Sequence, residues 1–442
     1  MIKFLIPILW LTGQILLAQT LLNEKDNYSN DMGLKTDFGG FVRGVAYAGR
    51  TNDHKSAELK SIYGNASFTV KTLFGDFGKG FAEVRMRKGY EFGSDIGEID
   101  LREAYAEFYP GKFEISLGQQ IVSWGKADGF NPTNNITPRN TIIRSPDTDD
   151  MNMGNFLFRA RYQFLSNSGF EVIWIPKYKP SVLPWNFSPM LEGVRFTEGD
   201  YPDGQLKNSS VAFKFNLDLP SFDFSVSWFS GFGLDPGITI GVPDVLPDST
   251  FLMTVVTKAY REQITGFDFS TTLGKYGLRG EVAWRLPENN YEEKIYVPNP
   301  DLWYIFGLDR SLGNIQIMAQ YIGRYVIEFK DIIPPEDNNQ DLIRYRIKEG
   351  NRMYFRQQHQ WSHSASLRIS ADMLYQTLTA EIFGMLNFTT KEYMIIPKLS
   401  YSITDGLSIA AGLEWYYGKE NTLFDIIEAP FNSVFLQLKA SF

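Results

Sequence analysis

Alternation of apolar and polar residues recurs along nearly the whole chain and limits its fold more than any other feature. Between Ile62 and Phe74, apolar or small residues occupy most even positions, and mostly polar residues occupy the odd ones. The same period of two returns in segments 156–164, 211–219, 278–285 and 407–416. Successive side chains of a β-strand point to opposite faces, so each segment predicts a strand with one apolar and one polar face.

The connections between these segments alternate between short and long. Tight turns rich in Gly, Pro, Asn and Asp are predicted at 75–78, 110–112, 166–169, 219–221, 274–277, 311–314 and 404–406. Longer polar connections are predicted at 51–58, 88–97, 123–152, 180–207, 232–258, 288–300, 330–357 and 418–430. This asymmetry is typical of outer-membrane barrels, which have short periplasmic turns and long external loops.

A soluble antiparallel sandwich would also show alternation. Three features favour a membrane barrel instead: the polar faces carry many charges, the apolar faces are long enough to cross a bilayer, and aromatic residues gather at the ends of the apolar stripes. We therefore predict an all-β fold, a transmembrane antiparallel up-and-down β-barrel of about 18 strands, and 16 would also fit.

The first residues have the layout of a secretory signal peptide. Lys3 precedes an apolar run that begins at Phe4, and Ala18 offers a cleavage point. The alternative is a membrane-anchoring helix, but Thr12, Gly13 and Gln14 interrupt the run. The predicted organisation is a signal peptide at 1–18, a short periplasmic segment at 19–32 and a barrel at 33–442, located in the outer membrane of a Gram-negative cell.

Composition excludes several classes of function. The chain has no cysteine, which rules out disulfides and thiol chemistry, and a formal net charge of -8, which argues against nucleic-acid binding. Its three histidines are His54, His359 and His363, and the last two lie in a strand-like pattern that separates them too widely for one metal ion. We expect no enzyme activity, no cofactor and no bound metal.

Many charged residues fall on the predicted polar, inward faces. The candidate pore-lining residues are Arg43, Lys71, Glu83, Arg85, Arg87, Arg159, Arg161, Arg279, Glu281, Arg285, Arg324, Arg368 and Lys398. Arginine dominates this set, and rings of basic residues favour anions in a pore. The alternative, which the sequence leaves open, is that these cations pair with inward Glu and Asp and keep the wall polar and rigid.

Two neighbouring segments carry a family resemblance. Asp100-Leu101-Arg102-Glu103-Ala104-Tyr105, followed by the segment 117–125, resembles the paired-strand signature of porin-like families, including alginate-export-type barrels. Those families usually have Gly-Arg-Gln before an aromatic-Gly pair, whereas Gln119 replaces the arginine here. The third external loop of porins commonly folds into the barrel. The resemblance therefore implies a constriction loop at 123–152, lined by Trp124, Lys126, Asp128, Arg139 and Arg144, with an ordinary surface loop as the alternative.

The end of the chain and the expected partners complete the prediction. Phe442 ends an alternating strand, and this ending resembles the C-terminal signal that barrel-assembly machinery recognises. The other expected partners are outer-membrane lipid, lipopolysaccharide and small hydrophilic solutes, and a homo-oligomer remains open. Two functions are compatible with this sequence: a porin-like channel for small hydrophilic solutes, including anionic or sugar-like ones, and a non-conducting barrel that serves as scaffold, receptor or export partner.

Overall fold

The computed structural model describes residues 33–51, 56–187, 194–242, 244–245, 251–288, 290–335 and 339–442. The predicted signal peptide at 1–18 and the predicted periplasmic segment at 19–32 lie outside the described residues, as does His54.

Eighteen strands form one continuous sheet. In chain order they are β1 Leu34–Arg50, β2 Ala57–Phe74, β3 Gly78–Glu91, β4 Ser94–Phe108, β5 Phe113–Gln120, β6 Asn155–Leu165, β7 Ser168–Ile175, β8 Ser210–Leu219, β9 Phe222–Phe232, β10 Arg261–Leu273, β11 Tyr276–Pro287, β12 Asp301–Leu312, β13 Ile315–Val326, β14 Trp361–Met373, β15 Leu378–Asn387, β16 Glu392–Thr404, β17 Leu407–Tyr417 and β18 Ser433–Ser441.

The sheet closes on itself because its first and last strands pair. Strand β1 runs antiparallel to β18, with Phe41 opposite Ser441 and Gly49 opposite Ser433. Every other strand pairs antiparallel with its neighbours in the sequence, so no long crossover is needed. The predicted 18-stranded up-and-down barrel is confirmed.

The two faces of the wall differ as the alternation predicts. On β1, Val42 is 56 % exposed on the outer face, whereas Arg43 and Tyr47 on the inner face are 2 % and 0 % exposed. On β18, Val434, Leu436 and Leu438 are likewise exposed on the outside. An apolar outer surface and a buried, largely polar inner surface invert the usual arrangement of a water-soluble protein, and this inversion suits a wall surrounded by lipid.

Three connections differ from the sequence prediction. The expected loop at 88–97 is a tight turn, because β3 extends to Glu91 and β4 begins at Ser94. The chain also turns at 374–377 between β14 and β15, and again at 388–391 between β15 and β16, where the sequence analysis placed no connection. The segment 374–377 contains none of the Gly, Pro, Asn or Asp residues that mark turns, so the sequence carries no signal there.

The long loops on one side of the barrel pack together into a cap. Helix α1, Asn339–Tyr354, and a small sheet that pairs Gly237–Ile240 with Thr254–Lys258 share a core built from Trp185, Ile238, Val255 and Ile347. A second helix, α2, Leu423–Phe431, buries Phe424, Ile426 and Phe431. Neither these helices nor any other described helix is long and apolar enough to cross a membrane.

Candidate functional site

The connection from β5 to β6, residues 121–154, is the third connection on the side of the barrel that carries the long loops, and we call it L3. Its apolar residues Val122, Trp124 and Ile136 are buried. They pack against apolar residues on the inner faces of β6 to β11, namely Leu157, Ile173, Ala212, Phe229, Ile264 and Ala283. L3 therefore runs along the inner wall, because apolar residues on both partners are removed from water by that contact.

The first bend of L3 is built around one wall carboxylate. Glu281 of β11 accepts hydrogen bonds from the backbone N–H groups of Lys126 and Ala127 and, at 2.9 Å, from the hydroxyl of Thr133. Arg279, two residues earlier on the same face, donates to the carbonyl of Lys126 at 3.1 Å. The backbone of Lys126 is thus fixed on both sides by the wall.

Past this bend, L3 reaches a different part of the wall. The Asp128 carboxylate forms an ion pair with Arg368 of β14 at 2.6 Å, and Arg368 also pairs with Glu381 at 3.1 Å. Further along, Lys398 of β16 donates to the carbonyl of Pro146 at 3.5 Å. Since L3 leaves from β5 and contacts β11, β14 and β16, it crosses the interior of the barrel.

The last part of L3 carries the acidic stretch Asp147, Asp149 and Asp150. Arg43 of β1 pairs with Asp147 at 3.2 Å and also with Asp150, and Arg85 of β3 pairs with Asp150. Burial raises the pKa of Asp150, but Arg43, the Ser145 hydroxyl and Arg85 outweigh it and lower the pKa to about 2. Asp150 therefore attaches L3 to the wall as a charged carboxylate, and Asp147 adds a second ion pair with Arg43.

Arg144 is the most enclosed member of the loop. Its side chain is completely buried, pairs with Glu414 of β17 at 2.9 Å and donates to the carbonyls of Pro430 and Phe431 at 3.0 and 3.1 Å. The Tyr47 ring lies 4.2 Å from its guanidinium. The sequence analysis placed Arg144 among the lining residues, but a side chain this buried cannot face a passing solute. It joins L3 to α2 and the wall.

Most of the predicted wall cations have carboxylate partners. Arg85 pairs with Glu83 at 2.6 Å, Arg87 with Glu91 at 2.7 Å, Arg159 with Glu171 at 2.8 Å, Arg161 with Glu114, Arg279 with Asp309 at 2.6 Å, and Arg324 with Asp301 at 3.7 Å. Trp124 donates its ring N–H to Glu171 at 2.8 Å. The paired-wall alternative thus accounts for the geometry of these cations, whereas Lys71 has no ion pair among the described residues.

Three arginines without a carboxylate ion pair in the described ranges interact electrostatically with the same carboxylate, Asp235. They are Arg139 of L3, Arg285 of β11 and Arg356, which follows α1. Arg285 donates to the carbonyl of Pro132 at 3.5 Å, and Arg356 lies 5.7 Å from the Phe130 ring. Both Pro132 and Phe130 belong to L3. We call these three residues the arginine cluster.

Burial and mutual repulsion shape this cluster. Burial lowers the pKa of Arg139, and Asp235 and Asp149 offset the effect only in part. Burial also lowers the pKa of Arg356, and the positive charge of Arg139 acts in the same direction. On the wall, Arg285 and Arg324 lie 4.9 and 4.6 Å from the Trp303 ring. The cluster is therefore a group of half-buried cations without direct ion pairs in the described part of the chain, whose charges Asp235, Glu262 and Glu392 offset in part.

Sequence reasoning found some of this site and missed the rest. Arg139, Arg285 and Arg324 were predicted. Arg356 and Phe130 were not, because both lie in loops, where no alternation indicates which way a side chain points. Trp303 was also missed, although its alternation with Leu302 and Tyr304 could have placed it on the inner face.

In the described part of the chain, the histidines and the acidic residues do not come together as metal ligands. His363 lies on β14, where its Nδ1 is 2.6 Å from the Tyr321 hydroxyl and its ring stacks on Trp361. No group of three or more His, Asp or Glu side chains that could hold a metal ion occurs among the described residues.

Comparison with known proteins identifies the fold. No family model matches the chain, and no curated protein matches it. Among solved structures, OccAB4 of Acinetobacter baumannii has a TM-score of 0.55 at 10 % identity, covering 94 % of this chain and 99 % of that one. OccK5 (OpdH) of Pseudomonas aeruginosa has a TM-score of 0.52 at 14 % identity, covering 92 % and 97 %.

A third similar structure is the outer membrane protein opdK of Pseudomonas aeruginosa, with a TM-score of 0.51 at 9 % identity over 92 % of this chain and 97 % of that one. At these identities the likeness extends to the fold alone. This chain therefore shares its overall fold with these proteins.

Proposed function

We propose that this protein is an outer-membrane channel through which small hydrophilic solutes diffuse. The observation that carries the proposal is L3, which crosses the inside of a closed barrel and is attached to β11, β14 and β1 by Glu281, Arg368 and Arg43. A barrel of about 18 strands is too wide for wall side chains to fill, so an inserted loop narrows the lumen and selects solutes.

The location follows from the same barrel. Its exposed apolar outer face would be unstable in water and stable in lipid. Fold similarity to the outer membrane protein opdK supports the outer membrane as that location. In this proposal the barrel-assembly machinery recognises Phe442, and lipid and lipopolysaccharide surround the wall. The likeness of segments 100–105 and 117–125 to alginate-export-type barrels is a narrower proposal, limited to β4, β5 and the first residues of L3.

We further propose that the channel prefers anions and that the arginine cluster is responsible. Arg85, Arg87, Arg159 and Arg161 each have a carboxylate within an ion pair, so their charges are largely compensated. Arg139, Arg285 and Arg356 are not compensated in this way. A local excess of positive charge in a confined lumen attracts anions and repels cations.

Conductance across a planar bilayer tests the proposal. Purified, folded protein should give discrete single-channel current steps. In a KCl gradient, the sign of the reversal potential should show that chloride passes more readily than potassium. If the folded protein inserts into the bilayer but never conducts, the channel proposal is wrong. The alternative then remains, a closed barrel that serves as scaffold, receptor or export partner. A channel that prefers potassium would refute only the anion preference.

A further inference from the structure

A cleft in the external cap adjoins the arginine cluster, because its lining residues Phe355 and Gln357 flank Arg356. It has a volume of about 160 Å³ and lies between the loop that precedes β12 and the loop that contains α1. Lys294, Lys330, Lys348 and Arg352 line it, together with Tyr291 and Phe355. The carboxylates of Glu292 and Glu328 also line the cleft, so four cationic side chains share this small space with two anionic ones and retain an excess of positive charge.

Two of these cations come from one face of α1. Arg344, Lys348 and Arg352 are spaced four residues apart, so they follow one another along the same side of the helix. Burial lowers the pKa of Lys348, and the positive charges of Arg352 and Arg344 lower it further. Burial also lowers the pKa of Arg352. The fold therefore holds Lys348 and Arg352 close together, although burial destabilises the charged forms of both side chains and repulsion between the two cations destabilises that of Lys348 further.

The nearby carboxylates already have partners within the cleft other than Lys348 and Arg352. Glu292 pairs with Lys330 at 2.7 Å, and Glu288 pairs with Lys294 at 3.0 Å. Glu328 accepts a hydrogen bond from the Tyr291 hydroxyl. Among the described residues, Lys348 and Arg352 have no carboxylate ion pair; Arg352 instead donates to the carbonyl of Lys330 and lies 4.7 Å from the Phe329 ring. Lys348 and Arg352 are thus the cations of the cleft without a direct ion pair in the described ranges, and Glu292 and Asp331 offset their charges only in part.

The cleft also lies at a defined level of the barrel. Its lining residues Asn299 and Glu328 are two residues away from the ends of β12 and β13, at Asp301 and Val326. On the outer face of the same region, Tyr321 and Trp361 are 40 % and 48 % exposed. Aromatic residues in this position mark the boundary between lipid chains and headgroups. The cleft therefore lies near the headgroup level.

We propose that this cleft binds a phosphomonoester attached to a sugar. A phosphomonoester carries up to two negative charges and three acceptor oxygens, so one group can pair with Lys348 and Arg352 together. The remaining volume and the Tyr291 and Phe355 rings accommodate the attached sugar. The ligand comes either from a free sugar phosphate or from a phosphorylated glycolipid headgroup in the outer leaflet. This site does not depend on the proposed channel.

The test measures binding to the full-length protein in detergent. Glucose 1-phosphate is titrated against the wild type, with glucose as the uncharged control, by isothermal calorimetry. The double variant K348Q/R352Q removes the two cations of the cleft that have no direct ion pair with a described residue. R346Q is the matched control, because the exposed Arg346 belongs to the same helix but does not line the cleft. Thermal unfolding followed by circular dichroism verifies that each variant is folded.

A second arm separates the two sources of the phosphate. Protein reconstituted in phosphatidylcholine vesicles is compared with protein in vesicles that also contain diphosphorylated lipid A, and retained lipid A is quantified after washing with detergent. Binding of glucose 1-phosphate alone supports a soluble ligand, and retention of lipid A alone supports a headgroup ligand. In either case we expect the double variant to bind about tenfold more weakly or worse, and R346Q to bind like the wild type. Absence of both ligands, or equal binding by a folded double variant, would overturn the proposal.

Discussion

The Arg144 guanidinium and the Glu414 carboxylate form a buried ion pair at 2.9 Å that attaches L3 to the wall. The two residues are 270 positions apart in the sequence, and Arg144 also donates to the carbonyls of Pro430 and Phe431 in α2. One side chain thus connects L3, α2 and β17. Because it is buried on all sides, its loss cannot be compensated by water.

Replacing Arg144 with Gln should release the end of L3 from the wall. Removing one member of a buried ion pair typically costs about 3 to 5 kcal/mol, since the remaining carboxylate stays buried without its partner. We expect larger fluctuations in single-channel current and faster tryptic cleavage of L3 than in the wild type. Arg161→Gln, which removes a half-exposed and ion-paired wall cation, is the control and should alter neither property strongly. Unchanged cleavage in Arg144→Gln would show that other contacts hold the loop.

Neutralising the arginine cluster should reduce anion preference. In Arg139→Gln and Arg356→Gln, we expect the reversal potential in a KCl gradient to move toward that of a non-selective pore, because each variant removes a cation that has no direct ion pair with a described residue. Arg87→Gln is a suitable comparison, since Arg87 pairs with Glu91 at 2.7 Å. If Arg87→Gln shifts the potential as much as the cluster variants, selectivity comes from the whole wall and not from the cluster.

Acid should detach L3 only well below neutral pH. The pKa of Asp150 is lowered to about 2 from an ordinary value of 3.8, so its carboxylate is more easily kept charged in the folded protein. A lowered pKa stabilises the docked loop at pH values above 3.8, and that contribution disappears as the pH falls through about 2. Single-channel conductance should therefore be constant from neutral pH to about pH 4 and change below it. Asp150→Asn should already have, at neutral pH, the altered conductance that the wild type shows in acid.

Gly125 should not tolerate a side chain. Its φ is +100°, and a Cβ atom would lie 2.5 Å from Oε1 of Glu281, the carboxylate around which L3 bends. Gly129 has a φ of +77° with open space around it, so Gly129→Ala imposes only the backbone strain, about 1 kcal/mol. Gly125→Ala adds a clash that displaces Glu281, and we expect it alone to change the conductance. Equal conductance changes in the two variants would contradict a role for the Glu281 contact.

The strands could be predicted from the sequence because alternation is a local property that each segment carries within itself. The path of L3 could not be predicted in this way, because it depends on contacts such as Arg144 with Glu414 that join residues 270 positions apart. Charge pairing is equally non-local: the sequence places Arg161 on the inner face but does not reveal that Glu114 on the neighbouring strand faces it. Arg356 was missed because it lies in a loop without periodicity.

The turn between β14 and β15 should become more stable when Tyr375 is replaced with Gly. Leu374, Tyr375 and Gln376 have φ values of 50°, 57° and 68°, so three successive residues with side chains adopt a left-handed conformation that glycine adopts with little strain. The Tyr375 side chain is fully exposed, so its removal loses no packing. We expect a gain of about 1 kcal/mol, seen as a higher urea midpoint for unfolding in detergent.

Phe77→Gly is the matched control for this turn. Phe77 is 81 % exposed in the turn between β2 and β3, but it is not among the residues with positive φ. Glycine there increases the freedom of the unfolded chain without relieving strain, so we expect a lower midpoint. If Tyr375→Gly also lowers the midpoint, the left-handed conformation at 374–376 is not strained. The exposed aromatic ring would then stabilise the turn by another route, such as contact with lipid headgroups.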